Sequence, residues 1–242
     1  MKATAGLFTW LTDRSEGSLV LPFNSAGRGN GNLVPGHTRG YMTLTRNGYV
    51  ILSIVALLLI ISGAAVAANP SVAPLTNGIR FAGLAGFVLL AVAAAMTPFS
   101  RDIYRTCGKS FLVFHHAFAL SGLILITLHP VFLAIRVMNP AVFLPVFSPF
   151  SDFLVLAGRP SLILIYVALA GILLRRAIPA YWRAVHGLIW VALILGIIHG
   201  NLIGIDFANP VIFVIFNGLA IFAAGALVLK RVQRRAMAAG TT

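Results

Sequence analysis

Five of the six histidines in this chain fall in two apolar stretches. FHHAFALSGLILITLHP, residues 114–130, carries His115, His116 and His129, and HGLIWVALILGIIHG, residues 186–200, carries His186 and His199. The sixth, His37, lies in a polar N-terminal region and reads as a solvated loop residue. An imidazole is costly in a lipid-facing segment and needs a partner or a ligand. One such residue could be a hydrogen bond between helices; two stretches, each with a histidine near both ends, call for more. His115 and His129 are 14 residues apart, about 21 Å along a helix, and His186 and His199 are 13 apart, about 19.5 Å. At 100° per residue the 14-residue step returns to within about 40° of the same face, whereas the 13-residue step misses by about 140°. The second pair therefore needs a bend, a tilt or a local change of helical pitch.

Paired imidazoles at two depths restrict the chemistry. A zinc site would gather N, S or O ligands in one place, but the acids near the apolar stretches are Asp102, Asp152 and Asp206, all at their ends, and the lone thiol is Cys107. Two neutral imidazoles on opposite sides of a haem iron suit the pattern better, because a macrocycle fills the space between helices and its faces suit Leu, Ile and Phe. An iron so held has no open position, so the expected chemistry is electron transfer. Haem propionates would want cations, and Arg101, Arg105, Arg183 and Lys109 stand near one pair of histidines. The contrasting reading is a haem-free transporter or scaffold whose histidines bond between helices. Against it stands the scarcity of other polar residues in the same stretches.

The elements that must position these residues follow from composition. The 242-residue chain is 59% hydrophobic and 10% charged, with a mean hydropathy of +0.95. Soluble domains carry about 25% charged residues. Six apolar runs, near 48–68, 80–98, 110–135, 160–177, 182–203 and 209–230, approach the ~20 residues that cross ~30 Å of hydrocarbon. In lipid they must be helices. The expectation is an all-α membrane protein, a six-transmembrane-helix bundle: 1–46 a polar cytoplasmic segment that could dock a partner, 47–230 the membrane domain, 231–242 a basic tail.

The formal net charge of +13 does not point to nucleic acid, because the cations lie between the apolar runs. Arg101, Arg105 and Lys109, then Arg175, Arg176 and Arg183, then Lys230, Arg231, Arg234 and Arg235 fall on one side with the N-terminal segment. The alternate loops carry Arg80, Arg136 and Arg159. This bias puts both termini in the cytoplasm. The loop at 138–159, with NPAVFLPVFSPFSDF, cannot form a straight spanning helix because of its prolines. It reads either as a partly embedded lid or as an ordinary apolar loop. No cleavable signal peptide is expected, since no basic segment leads at once into an apolar one.

RTCGKSFLVFHHAFALSGLILITLHP followed by YWRAVHGLIWVALILGIIHGNLIGIDF resembles the ferric reductase-like transmembrane domain. This superfamily includes ferric reductases, NADPH oxidases and the haem-binding membrane subunit of methionine sulfoxide reductase. The resemblance covers 48–230, is sharpest in the third and fifth runs, and extends to Trp182, Arg183 and Gly200. It implies two b-type haems, His115 with His186 on the inner side and His129 with His199 on the outer. His116 could replace His115 or bond a propionate or a neighbour. The implied function is transmembrane electron transfer from a cytoplasmic flavoprotein or quinol to an extracytoplasmic acceptor. A cytochrome b anchor subunit of a larger respiratory or redox-repair complex is the alternative. Superfamily oxidoreductases often continue into a flavin and nicotinamide domain. This chain shows no dinucleotide-binding motif beyond a glycine cluster, GRGNGN, so flavin or quinone is expected from a partner.

Overall fold

Why the apolar runs become helices is clearest at their ends. Thr45 accepts the amide of Gly48 and starts α1, Arg46–Ala68. Pro74 occupies the first turn of α2, Pro74–Met96, where a missing N–H costs nothing. The computed structural model describes residues 45–107 and 110–239, which fall within one unit, 41–242. The N-terminal segment through residue 44, with His37, lies outside the described residues, as does Lys109. A 3₁₀ turn, Thr97–Phe99, leads from α2 into α3, Ser100–Cys107. Then come α4, Phe111–Val137, capped by Ser110, and two short elements, a 3₁₀ turn at Pro140–Phe143 and α5, Phe150–Val155. They are followed by α6, Gly158–Leu173; α7, Trp182–His186; α8, Ile189–Ile203; and α9, Pro210–Ala239.

Among the described residues, five helical stretches are long and apolar enough to cross a membrane: Arg46–Ala68, Pro74–Cys107, Phe111–Val137, Trp182–Ile203 and Pro210–Gln233. The predicted fourth span is a shorter apolar helix, α6, which ends at Leu173 rather than 177. The second loop is largely helical, because α3 places Ile103 and Cys107 inward and Arg101 and Arg105 outward. α9 runs on as helix to Ala239, through most of the basic tail.

The core is built on α2, which packs against α1, α4, α8 and α9. Its alanines and Gly86 allow close approach, the usual basis of helix packing in lipid. A Cβ on Gly86 would stand 2.8 Å from the backbone nitrogen of Ile126, and one on Gly122 of α4 would stand 3.0 Å from that of Leu90. Backbone therefore meets backbone where α2 crosses α4. Phe87 of α2 stacks on Phe216 of α9, ring centres 5.9 Å apart, within the main apolar cluster. A buried ion pair closes one end: Arg80 donates to both carboxylate oxygens of Asp206, at 3.0 and 2.5 Å, and also to the carbonyl of Asn69.

The proline-rich loop forms no spanning helix. Met138, in the left-handed region at φ 50°, ends α4. Arg159 then donates to the carbonyls of Ala141 and Leu144 and pins the loop over this end of the bundle. Phe147 and Phe150 each stack on Phe153 with ring centres 6.0 Å apart.

Candidate functional site

The histidine-bearing helices, α4 on one side and α7 with α8 on the other, barely touch each other. α4 lies along α2, whereas α8 lies along α6, and α2 also meets α8. Only 11% of the apolar stretch of Phe111–Val137 and of Trp182–Ile203 is buried, against 78% for Pro74–Cys107. The chain thus holds α4 apart from α7 and α8, the helices that carry its imidazoles. On one side of the gap a hydrogen bond of 2.7 Å joins Thr127 of α4 to Tyr166 of α6.

Across this gap the histidines face one another two by two. The ring centres of His115 and His186 are 6.4 Å apart, and those of His129 and His199 are also 6.4 Å apart. The ring planes cross at 78° and 86°. Two imidazoles bound through Nε2 at about 2.0–2.1 Å on opposite sides of one metal ion place their ring centres roughly 6.3 Å apart, with ~1.1 Å from ring nitrogen to ring centre on each side. The observed separations fit that arrangement.

Each ring is also held in the tautomer that such binding needs. Nδ1 of His115 bonds the carbonyl of Ala93 at 3.1 Å, that of His129 the carbonyl of Ile79 at 2.9 Å, that of His186 the carbonyl of Ala168 at 3.3 Å, and that of His199 the carbonyl of Val155 at 2.7 Å. A carbonyl can only accept, so Nδ1 carries the proton and the Nε2 lone pair points elsewhere. Metal-binding histidines are commonly oriented in this way. The acceptors repeat the spacing of the donors: Ile79 and Ala93 are 14 residues apart, as are His115 and His129, and Val155 and Ala168 are 13 apart, as are His186 and His199.

Local sequence makes these carbonyls accessible. Pro98 lacks an N–H and the amide of Thr97 turns to Ala94, so the carbonyl of Ala93 accepts His115 together with the Thr97 hydroxyl at 3.2 Å. At the end of α5 the amide of Arg159 goes to Leu156, leaving Val155 for His199. Glycines admit the rings: a Cβ on Gly83 would stand 2.8 Å from Nδ1 of His129, and one on Gly158 would stand 2.8 Å from Cδ2 of His199. On Gly171 a Cβ would meet Val185, next to His186, at 2.8 Å.

The 140° misfit meets a change of pitch. Between α7 and α8, Gly187 and Leu188 adopt ψ near −16° and −17°. The amides of Leu188 and Trp190 bond three residues back, to Val185 and Gly187. Such 3₁₀ turns advance about 120° per residue rather than 100°, which rotates His199 in the sense that narrows the misfit.

The other site candidates are placed differently. His116 is exposed, its ring centre 5.9 Å from that of His115, and it does not take part in the opposed pair. Phe111 packs on His115 at 5.2 Å, and Phe111, Arg101, Arg105 and Tyr104 line one surface hollow. Arg183 is exposed and lies 5.2 Å over the ring of Trp182. None of the three arginines makes a hydrogen bond to the histidines among the described residues. Gly200 accommodates the ring of Phe207, which a Cβ there would meet at 2.9 Å. Among the described residues no three His, Cys, Asp or Glu gather around one point. The carbonyl acceptors and the glycines escape sequence reasoning, because neither residue type announces a role beside a histidine.

No family model, no curated protein and no solved structure matches this chain.

Proposed function

We propose that this chain is a haem-b membrane protein of the ferric reductase-like type that carries electrons across the bilayer. The observation that carries the reading is the double opposition of imidazoles, each pair 6.4 Å apart with every Nδ1 committed to a carbonyl. His115 and His186 would hold one b-type haem and His129 and His199 the other. When bound, such a group would supply reversible one-electron transfer.

The chain's own contribution is position and environment. The four carbonyls fix the imidazole tautomers, the apolar walls of α2, α4, α6 and α8 exclude water, and Thr127 and Tyr166 bridge one side of the gap. We read α6 as a sixth crossing whose outer end is completed by the embedded loop at 138–157. The charges support an orientation with both ends of the chain inside. Arg46, Arg101, Arg105, Arg175, Arg176, Arg183, Arg231 and Arg235 are exposed near one end of the bundle, whereas at the other only Arg136 is exposed among the described arginines, Arg159 being bonded to loop carbonyls and Arg80 to Asp206. His115 and His186 then form the inner site, and electrons from a separate flavoprotein or quinol reach an acceptor beyond the outer one.

A reduced-minus-oxidised spectrum of purified protein, with haem per chain measured as the pyridine haemochromogen, tests this. Two b-type haems per chain are expected. A colourless protein made with ample haem supply would overturn the proposal, and a single haem would reduce it to one site.

A further inference from the structure

α8, IWVALILGIIHGNLI, is apolar on every side apart from His199 and Asn201. In lipid, burial of apolar surface does not favour one helix face over another. Beside close packing, the rotation of this helix is therefore set by its polar contacts: Ser161 donates to the carbonyl of Ala192 at 2.8 Å, and Asn201 makes the most complete contact. Its Nδ2 donates to Oδ1 of Asn217 on α9 at 2.9 Å, and Nδ2 of Asn217 donates back to Oδ1 of Asn201 at 3.0 Å. The second N–H of each amide goes to its own helix, to Ile197 and Phe213 at 2.8 Å. Every amide proton of the pair is used, so the clasp is satisfied in one geometry only.

Two residues on an α-helix are about 200° apart, so Asn201 points away from His199. The amide holds α8 against α9 on one face and presents the imidazole to the gap on the other. The 3₁₀ turn at Gly187–Leu188 separates α8 from α7, so rotation of α8 need not carry His186 with it. We infer that the Asn201–Asn217 clasp is a positioning device that sets the azimuth of α8 and aims His199 at His129. This inference rests on the haem reading for its consequence, since the clasp would tune one of the two sites alone.

The test compares wild-type protein with Asn217→Leu and with the double variant Asn201→Leu/Asn217→Leu, which leaves no unpaired amide. Haem per chain and the low-spin ferric electron paramagnetic resonance signals are recorded. In haem-depleted protein the carbethoxylation rate of each histidine is mapped by mass spectrometry. In both variants the outer signal is expected to shift or vanish, lowering haem towards one per chain, while the inner signal stays. His199 should react several-fold faster and His115 at its wild-type rate.

Recovery of the outer signal in the double variant, equal loss at both sites, or failure of both variants to assemble would show a merely structural contact and overturn the inference. The two proposals can fail separately. A wild-type protein without haem whose His199 reactivity still responds sinks electron transfer and leaves the clasp. Two haems with the outer signal and His199 both unmoved sink the clasp alone.

Discussion

Gly158→Ala adds one carbon beside the ring of His199. Its Cβ would stand 2.8 Å from Cδ2, 2.9 Å from Nε2 and 3.1 Å from Cγ. Carbon atoms sit in favourable contact near 3.5 Å, so the ring must retreat by roughly 0.7 Å. Metal–ligand distances tolerate only about ±0.2 Å, and the retreat also strains the 2.7 Å bond from Nδ1 to Val155. Disturbing such an outer partner weakens metal binding about 10–100-fold, or ~1.4–2.7 kcal/mol. The outer site should thus fall to partial occupancy while the inner one stays full. Titration of haem into haem-depleted protein, followed at the Soret band, would separate a weakened site from an unchanged one. Gly218→Ala is the control. Nothing lies within 4 Å of its added carbon, and alanine in a helix interior is favoured over glycine by about 0.5–1 kcal/mol. Two undiminished affinities in Gly158→Ala would refute the argument that the missing side chain seats His199.

Other substitutions probe the assignment from different sides. His116→Ala should retain both haems and His115→Ala should lose the inner one, read as haem per chain; the reverse result would move the ligand to His116. Ferric protein should give the strongly anisotropic low-spin signals of nearly perpendicular imidazole planes, given angles of 78° and 86°; the rhombic spectrum of parallel planes would contradict these ring orientations. Asp206→Ala should destabilise the fold by about 3–5 kcal/mol, because it strands the buried guanidinium of Arg80, whose side chain is 7% exposed. Thermal unfolding in detergent would check this, with Arg80→Met/Asp206→Leu expected to recover much of the loss.

The membrane character and the all-helical fold were legible in length and hydropathy, because a run of some 20 apolar residues has few other uses. The pairing of His115 with His186 and His129 with His199 was legible as matching depth, although azimuth argued against His199. That objection assumed a continuous helix, and one glycine, Gly187, gives little warning of a 3₁₀ turn. The helical second loop was missed because eight residues with three charges, SRDIYRTC, look polar until their inward face is separated out. Asn201 and Asn217 lie 16 residues apart, with no pattern linking them. The backbone acceptors leave no residue-type signature at all, since any side chain brings the same carbonyl.

The matched intervals in the hydrogen-bond ladders have a consequence for length change. Along α4 the distance between paired imidazoles is specified twice, once by the histidines and once by Ile79 and Ala93 on α2; along α7 and α8 it is specified again by Val155 and Ala168. Insertion of one residue between His115 and His129 would leave either ring without its acceptor unless α2 gained one between Ile79 and Ala93. Insertions and deletions should therefore be tolerated only when matched on both ladders at once, so that His115 still meets His186 and His129 still meets His199, while the same changes in the loop at 138–149 would leave both ladders in register.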